Sequence, residues 1–128
     1  MSTSLTLQEQ HHMLYQASRR ELLVPWSTRK RRLEQLQALL KTHQHTLLAA
    51  IAADFGQRST TESTILELIP ANNAIKYALK HGEKWMQRRK AATSWLFKPA
   101  TAYVQPQPKG VIGIVSPWNY PLYLIIGP

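Results

Sequence analysis

The residues of this chain best suited to chemistry lie in one turn, Ser116-Pro117-Trp118-Asn119-Tyr120-Pro121. An asparagine between two prolines carries an amide N–H that can be aimed at an oxygen, or it can bond its own backbone as an ordinary turn residue. Its position favours a site. The turn follows Val111-Ile112-Gly113-Ile114-Val115, an unbroken apolar run that reads as a parallel strand buried on both faces. Open α/β sheets place ligands beyond the carboxyl ends of such strands.

Other candidates for chemistry are weaker. The sequence has no cysteine, so disulfides, thiolate metal sites and a thiol nucleophile are excluded within these residues. His43 and His45 diverge on a helix, and the adjacent His11 and His12 have no nearby carboxylate, so no metal site is expected. Asp54-Phe55-Gly56 spells a kinase magnesium triad, but the glycine-rich loop, strand lysine and catalytic-loop triplet that must accompany it are missing. It reads as a helix end.

The elements that must position the turn are mostly helices. Leu7, Leu14, Ala17 and Leu22 share a helical face between Leu5 and Leu22, with Pro25 as a stop. A second helix, capped by Ser27 or Thr28, carries Leu33, Leu36, Leu40, Leu47 and Ile51, breaks between Thr42 and Thr46, and closes at Gly56. Ser59 and Glu62 have capping-box spacing, and Ile65, Leu68, Ile69, Ile75 and Leu79 continue the helical period toward Trp85 and Met86. Pro70 must kink or divide that helix. Beyond Lys90 the texture changes: 91–94 is loop-like, 100–105 alternates as a strand does, 106–110 is a turn, and 122–126 opens a buried helix.

Composition points to a folded chain, with 44% hydrophobic and 18% charged residues. Sixteen Lys and Arg against seven Asp and Glu give +9, with runs at Arg29-Lys30-Arg31-Arg32 and Arg88-Arg89-Lys90. Such charge could meet nucleic acid, but no nucleic-acid-binding motif accompanies it and the aromatics are not interleaved, which favours a solvated face. The eighteen uncharged residues from Val111 to Pro128 invite a test as a membrane anchor. Two prolines, Ser116 and Asn119 in their midst argue against insertion. The first residues lack an apolar stretch of signal-peptide type, so a cytoplasmic location is the default. A lone parallel strand needs neighbours, and half a βαβ unit needs its other half, so the pattern suggests a fragment of a larger α/β protein.

The run from Gly110 to Leu122, with its Pro-Trp-Asn-Tyr-Pro turn, closely resembles the first signature of the aldehyde dehydrogenase superfamily. The resemblance extends upstream through Arg32-Leu33 to Leu40, Ala49 to Gly56, and Glu62 to Trp85. Asp54-Phe55-Gly56, Arg58-Ser59 and Trp85-Met86 give it the texture of the coniferyl-aldehyde dehydrogenase branch, near class 3.

This resemblance implies an α/β, Rossmann-like fold, present in part. Residues 1–26 would form an N-terminal helical extension and 27–92 a helical layer of the cofactor-binding domain. Residues 93–108 would belong to a bridging or oligomerisation sheet. Residues 109–128 would be the first strand, turn and helix start of the cofactor-binding domain. It implies oxidation of an aldehyde to an acid, with NAD or NADP as cofactor, in a homo-oligomer, such as a dimer, that binds neither nucleic acid nor membrane. Asn119 matches the oxyanion-hole asparagine. Val115, Ser116, Pro117 and Trp118 match positions lining the cofactor cleft, and Tyr120, Tyr123 and Leu124 match positions facing the aldehyde tunnel. The family's nucleophilic cysteine and glutamate base would lie beyond Pro128, so these 128 residues alone are expected to be inactive.

Overall fold

A computed structural model of the chain describes residues 5–128. Five helices lead: α1 (Leu7–Arg20), α2 (Trp26–Thr42), α3 (Gln44–Asp54), the single turn α4 (Thr60–Ser63) and α5 (Ile69–Trp85). Two short strands follow, β1 (Arg89–Ala91) and β2 (Ala102–Val104), then α6 (Pro121–Ile126). The residues group into two compact units, one comprising Trp26–Glu83 with Ile114–Pro128, the other Lys84–Gly113 with the described residues up to 25.

The first unit holds the core. Leu40, Ala71 and Ile75 are almost fully buried, and Leu33, Leu36, Leu47, Leu79, Leu122, Tyr123 and Ile126 pack around them. Full burial of one such aliphatic side chain stabilises by about 1.5–3 kcal/mol, so this cluster holds α2, α3, α5 and α6 together. The expected break between α2 and α3 falls at His43, and Gly56 ends α3 with φ +82°, a conformation open to glycine. Helix α2 begins at Trp26, one residue before the expected cap. A Cβ on Gly82 would lie 2.5 Å from the Trp26 ring, so the bare backbone of α5 is what admits the indole.

Between α4 and α5 the helix widens into a π turn, Thr64–Leu68, in which the Ile69 N–H donates to Thr64 O. Pro70 follows and brings no N–H for the carbonyl one turn back, so the division expected there occurs just upstream, as a change of hydrogen-bond register. The face that is buried differs from the one expected. Ile65 and Ile69 are exposed, whereas Ser63, Glu67, Leu68, Ala71 and Ile75 point inward. The Ser59 hydroxyl accepts from the Glu62 N–H, but the Glu62 carboxylate turns to Arg58, so only half of the capping box forms.

The second unit is less buried. Helix α1 starts with a full capping box, Thr6 with Glu9, yet contains no buried residue, and Leu7 and Leu14 are exposed. The apolar face read from the sequence is present without a covering among the described residues. Strands β1 and β2 pair antiparallel, with Arg89 opposite Val104 and Ala91 opposite Ala102. The expected strand within 100–105 is therefore found, and Ala91, expected in a loop, is its partner. Arg88 lies over the Tyr103 ring at 3.7 Å, so this basic run does meet an aromatic.

The largest departure is at Val111–Val115. No strand forms there: the run is outside any ladder, and Val115 is 98% exposed. Strand geometry depends on hydrogen bonds to a neighbouring strand, and among the described residues none lies alongside it.

Candidate functional site

The Pro-Trp-Asn-Tyr-Pro turn opens onto a cleft of about 580 Å³ lined by Phe55, Gly56, Gln57, Arg58, Glu62, Asn119 and Tyr120. Gly56 turns the chain at the end of α3 and so brings Arg58 against the turn. The Arg58 guanidinium lies 4.9 Å from the centres of both the Phe55 and Tyr120 rings, a cation held between two π faces. Its Nη1 donates to the backbone oxygen of Asn119 at 2.7 Å.

The charge of Arg58 is met by two carboxylates. Nη1 is 3.1 Å from Glu67 Oε1, and Nε is 3.5 Å from Glu62 Oε1. The Arg58–Glu67 contact is a close ion pair without hydrogen-bond alignment. The Arg58 side chain is 7% exposed and that of Glu67 is fully buried. The other Glu67 oxygen, Oε2, accepts from the Leu122 N–H at 2.7 Å. Leu122 is the second residue of α6, after Pro121, which has no N–H. Glu67 thus satisfies one of the orphan donors at the start of α6, a task that the preceding Tyr120 does not perform with its side chain.

Asn119 is exposed, and its side-chain amide has no hydrogen-bond partner among the described residues. Its backbone is held and its side chain is available. Tyr120 is half-buried and lines the same cleft. Tyr123 and Leu124 are also half-buried and do not line it, and Tyr123 packs on the core cluster instead. Val115, Pro117 and Trp118 are exposed, whereas Ser116 is half-buried and its hydroxyl donates to Pro121 O at 3.3 Å.

For a dinucleotide cofactor, the segment 115–118 provides uncharged backbone outside any ladder and the apolar faces of Val115 and Trp118. That donor set suits contact with a flat ring, so these residues fit one wall of such a site. No group of three His, Cys, Asp or Glu suited to a metal occurs among the described residues. No helix among them is long and apolar enough to cross a membrane.

Arg58 and Glu67 were not singled out as site residues by the sequence. The signal available was Glu67 itself, a single carboxylate inside Ile65-Leu66-Glu67-Leu68-Ile69. Charged residues are almost never fully buried unless paired, but the partner, Arg58, cannot be identified from spacing.

The profile of the Aldehyde dehydrogenase family matches residues 9–128. A probable coniferyl aldehyde dehydrogenase of Pseudomonas aeruginosa is 45% identical over 96 residues, covering 75% of this chain and 20% of the relative. A coniferyl aldehyde dehydrogenase of Pseudomonas sp. strain HR199 is 34% identical, covering 76% and 20%. Aldehyde dehydrogenase family 3 member H1 of Arabidopsis thaliana is 38% identical, covering 75% and 20%. The chain therefore spans about one fifth of the length of these relatives. A structure of Staphylococcus aureus AldH, described as a substrate-bound state, superposes on 96% of this chain and 27% of its own with a TM-score of 0.87 at 22% identity. That likeness shows the fold, in which the helices and the two-stranded sheet are part of a larger α/β arrangement. With the family profile covering nearly the whole chain and relatives of the coniferyl and family 3 groups among its matches, the chain belongs to the aldehyde dehydrogenase family.

Proposed function

We propose that the protein carrying these residues oxidises an aldehyde to the carboxylic acid with NAD or NADP, and that Asn119 supplies an oxyanion donor. The observation that carries this reading is the division of labour at Asn119: a backbone oxygen clamped by Arg58, and a side-chain amide left available in an open cleft. An amide N–H carried on a backbone held in that manner lowers the energy of negative charge that develops on a carbonyl oxygen.

In this reading a thiolate adds to the aldehyde carbon, and the carbonyl oxygen takes up the displaced electron pair beside the Asn119 amide. Hydride departure restores the carbonyl as a thioester, and water then releases the acid and the thiol. The nicotinamide cofactor supplies a hydride acceptor. Val115, Ser116, Pro117 and Trp118 would hold one face of it, mostly through backbone. The thiol must come from residues other than these 128, which contain no cysteine, so this stretch alone is expected to show no turnover.

An aromatic aldehyde of coniferyl type is the proposed substrate class. The names of the Pseudomonas relatives support it, as does the Tyr120 ring on the cleft wall. Tyr123 and Leu124 lie off this cleft, and a tunnel-facing role for them rests on the resemblance alone. Residues 27–92 and 109–128 are proposed as parts of the cofactor-binding domain, 93–108 as part of a bridging sheet between subunits of a homodimer, and 1–26 as an extension. A cytoplasmic location is proposed with them. The nucleic-acid and membrane-anchor readings are not favoured, since membership of this family accounts for the chain without them.

The test is Asn119→Ala in the protein that carries this chain, assayed by aldehyde-dependent NAD(P)H formation. Loss of one oxyanion donor costs about 3 kcal/mol, so kcat should fall roughly 100-fold with KM little changed. An unchanged kcat would sink the assignment.

A further inference from the structure

We propose that Arg58 and Glu67 act as a buried positioning pair that sets the Asn119 amide in its catalytic place, an inference that rests on the oxyanion reading above. Three points of the turn are held from this one pair. Arg58 donates to the Asn119 carbonyl oxygen, its guanidinium stacks on the adjacent Tyr120 ring, and Glu67 accepts from the Leu122 N–H. Pro117 and Pro121 restrict φ on either side of the segment. What remains adjustable is chiefly the Asn119 side chain.

The geometry separates positioning from catalysis. Arg58 is already engaged by Glu62, by Glu67 and by the Asn119 carbonyl oxygen, and its side chain is almost wholly buried, so it is poorly placed to meet a substrate oxygen itself. Glu67 is fully buried and reaches the cleft only through Arg58 and through α6. Its place in the π turn Thr64–Leu68, immediately before Ile69 and Pro70, departs from regular helix at the point where the carboxylate meets α6. A donor displaced by 1 Å can lose about 100-fold in rate, so holding the backbone of Asn119 at both flanks bears directly on kcat.

The experiment compares Glu67→Gln with the paired variant Arg58→Met/Glu67→Leu, each made in the protein that carries this chain. Glu67→Gln strands the Arg58 charge and could compromise folding. The paired variant leaves no unmatched buried charge, and such apolar replacements are often neutral for stability. Hydrogen–deuterium exchange across residues 118–124 reads the anchoring without reference to activity. Steady-state kinetics read its purpose.

We expect faster exchange in the segment in both variants, kcat lowered about 10- to 100-fold, and KM for aldehyde and cofactor essentially unchanged. Adding Asn119→Ala to the paired variant should lower kcat no further than Asn119→Ala does alone. Unchanged exchange overturns the proposal, as does a loss that multiplies fully with that of Asn119→Ala. A folded paired variant with normal kcat, beside a defective Asn119→Ala, also overturns it. If Asn119→Ala itself keeps kcat, the oxyanion reading is what fails, and the exchange result still judges the anchoring separately.

Discussion

Two helices of this chain begin at a glutamate carboxylate, α1 at Glu9 and α6 at Glu67, by opposite routes. At α1 the partners are neighbours: the Thr6 hydroxyl accepts from the Glu9 N–H, and the Glu9 carboxylate accepts from the Thr6 N–H at 2.8 Å. The box is exposed to water, and α1 buries no residue. At α6 the carboxylate comes from 55 residues away, is fully buried and is paired with Arg58. The local cap competes with water for every bond it makes. The distant one has no water to fall back on, so its loss leaves polar groups stranded.

The largest effect should therefore follow Glu67→Ala, which removes the cap of α6 and the main partner of a buried cation. Breaking a buried pair from one side costs about 3–5 kcal/mol. Urea unfolding should report that loss, and a change no greater than that of an exposed cap would break the distinction. Gly82→Ala should cost less. Its new methyl would meet two Trp26 ring atoms at 2.5 and 2.6 Å, an overpacking loss of about 1–3 kcal/mol, offset by roughly 1 kcal/mol of better helix propensity. If Gly82→Ala matched Glu67→Ala, ordinary packing rather than the buried charge would dominate this unit.

The smallest effect should belong to acidification of α1. Hydrogen bonds from the Thr6 backbone and then its side chain hold the Glu9 carboxyl below its ordinary value of 4.5. A group whose folded value is depressed stabilises fully above the unfolded value and loses that contribution as pH falls through the lower, folded one. Amide exchange at the first turn of α1 should therefore rise below about pH 4.5, with no matching shift in the unfolding midpoint of the core. A cooperative loss of the whole fold in that window would contradict the local character of this cap.

The same contrast explains what could be read from the residues in order. Helix ends governed by one residue were partly legible: Gly56 closes α3 as expected, whereas the buried helix expected from Leu122 begins at Pro121 and contains no fully buried residue. Thr6-x-x-Glu9 also has capping-box spacing, an equally local signal, and it starts α1 two residues after Leu5. Val111–Val115 was read as a buried strand because branched apolar residues fit one, yet strand formation depends on a partner that periodicity does not supply. Ala91 shows the converse, since an unremarkable residue became strand by facing Ala102.

At the site, Asn119 was recognisable by type, by its flanking prolines and by resemblance. Arg58 and Glu62 were visible only as parts of other patterns, and Glu67 only as an interruption in an apolar helix. Sequence alone determined the helical segments, their principal breaks and the family, because these depend on local hydrogen-bonding chemistry and on the order of residues along the chain. Tertiary structure decided that Glu67 meets Arg58, that the pair grips the Asn119 turn, and that α6 is capped from a distance. The last two join residues more than fifty positions apart, and only burial in a shared core brings them within hydrogen-bonding reach.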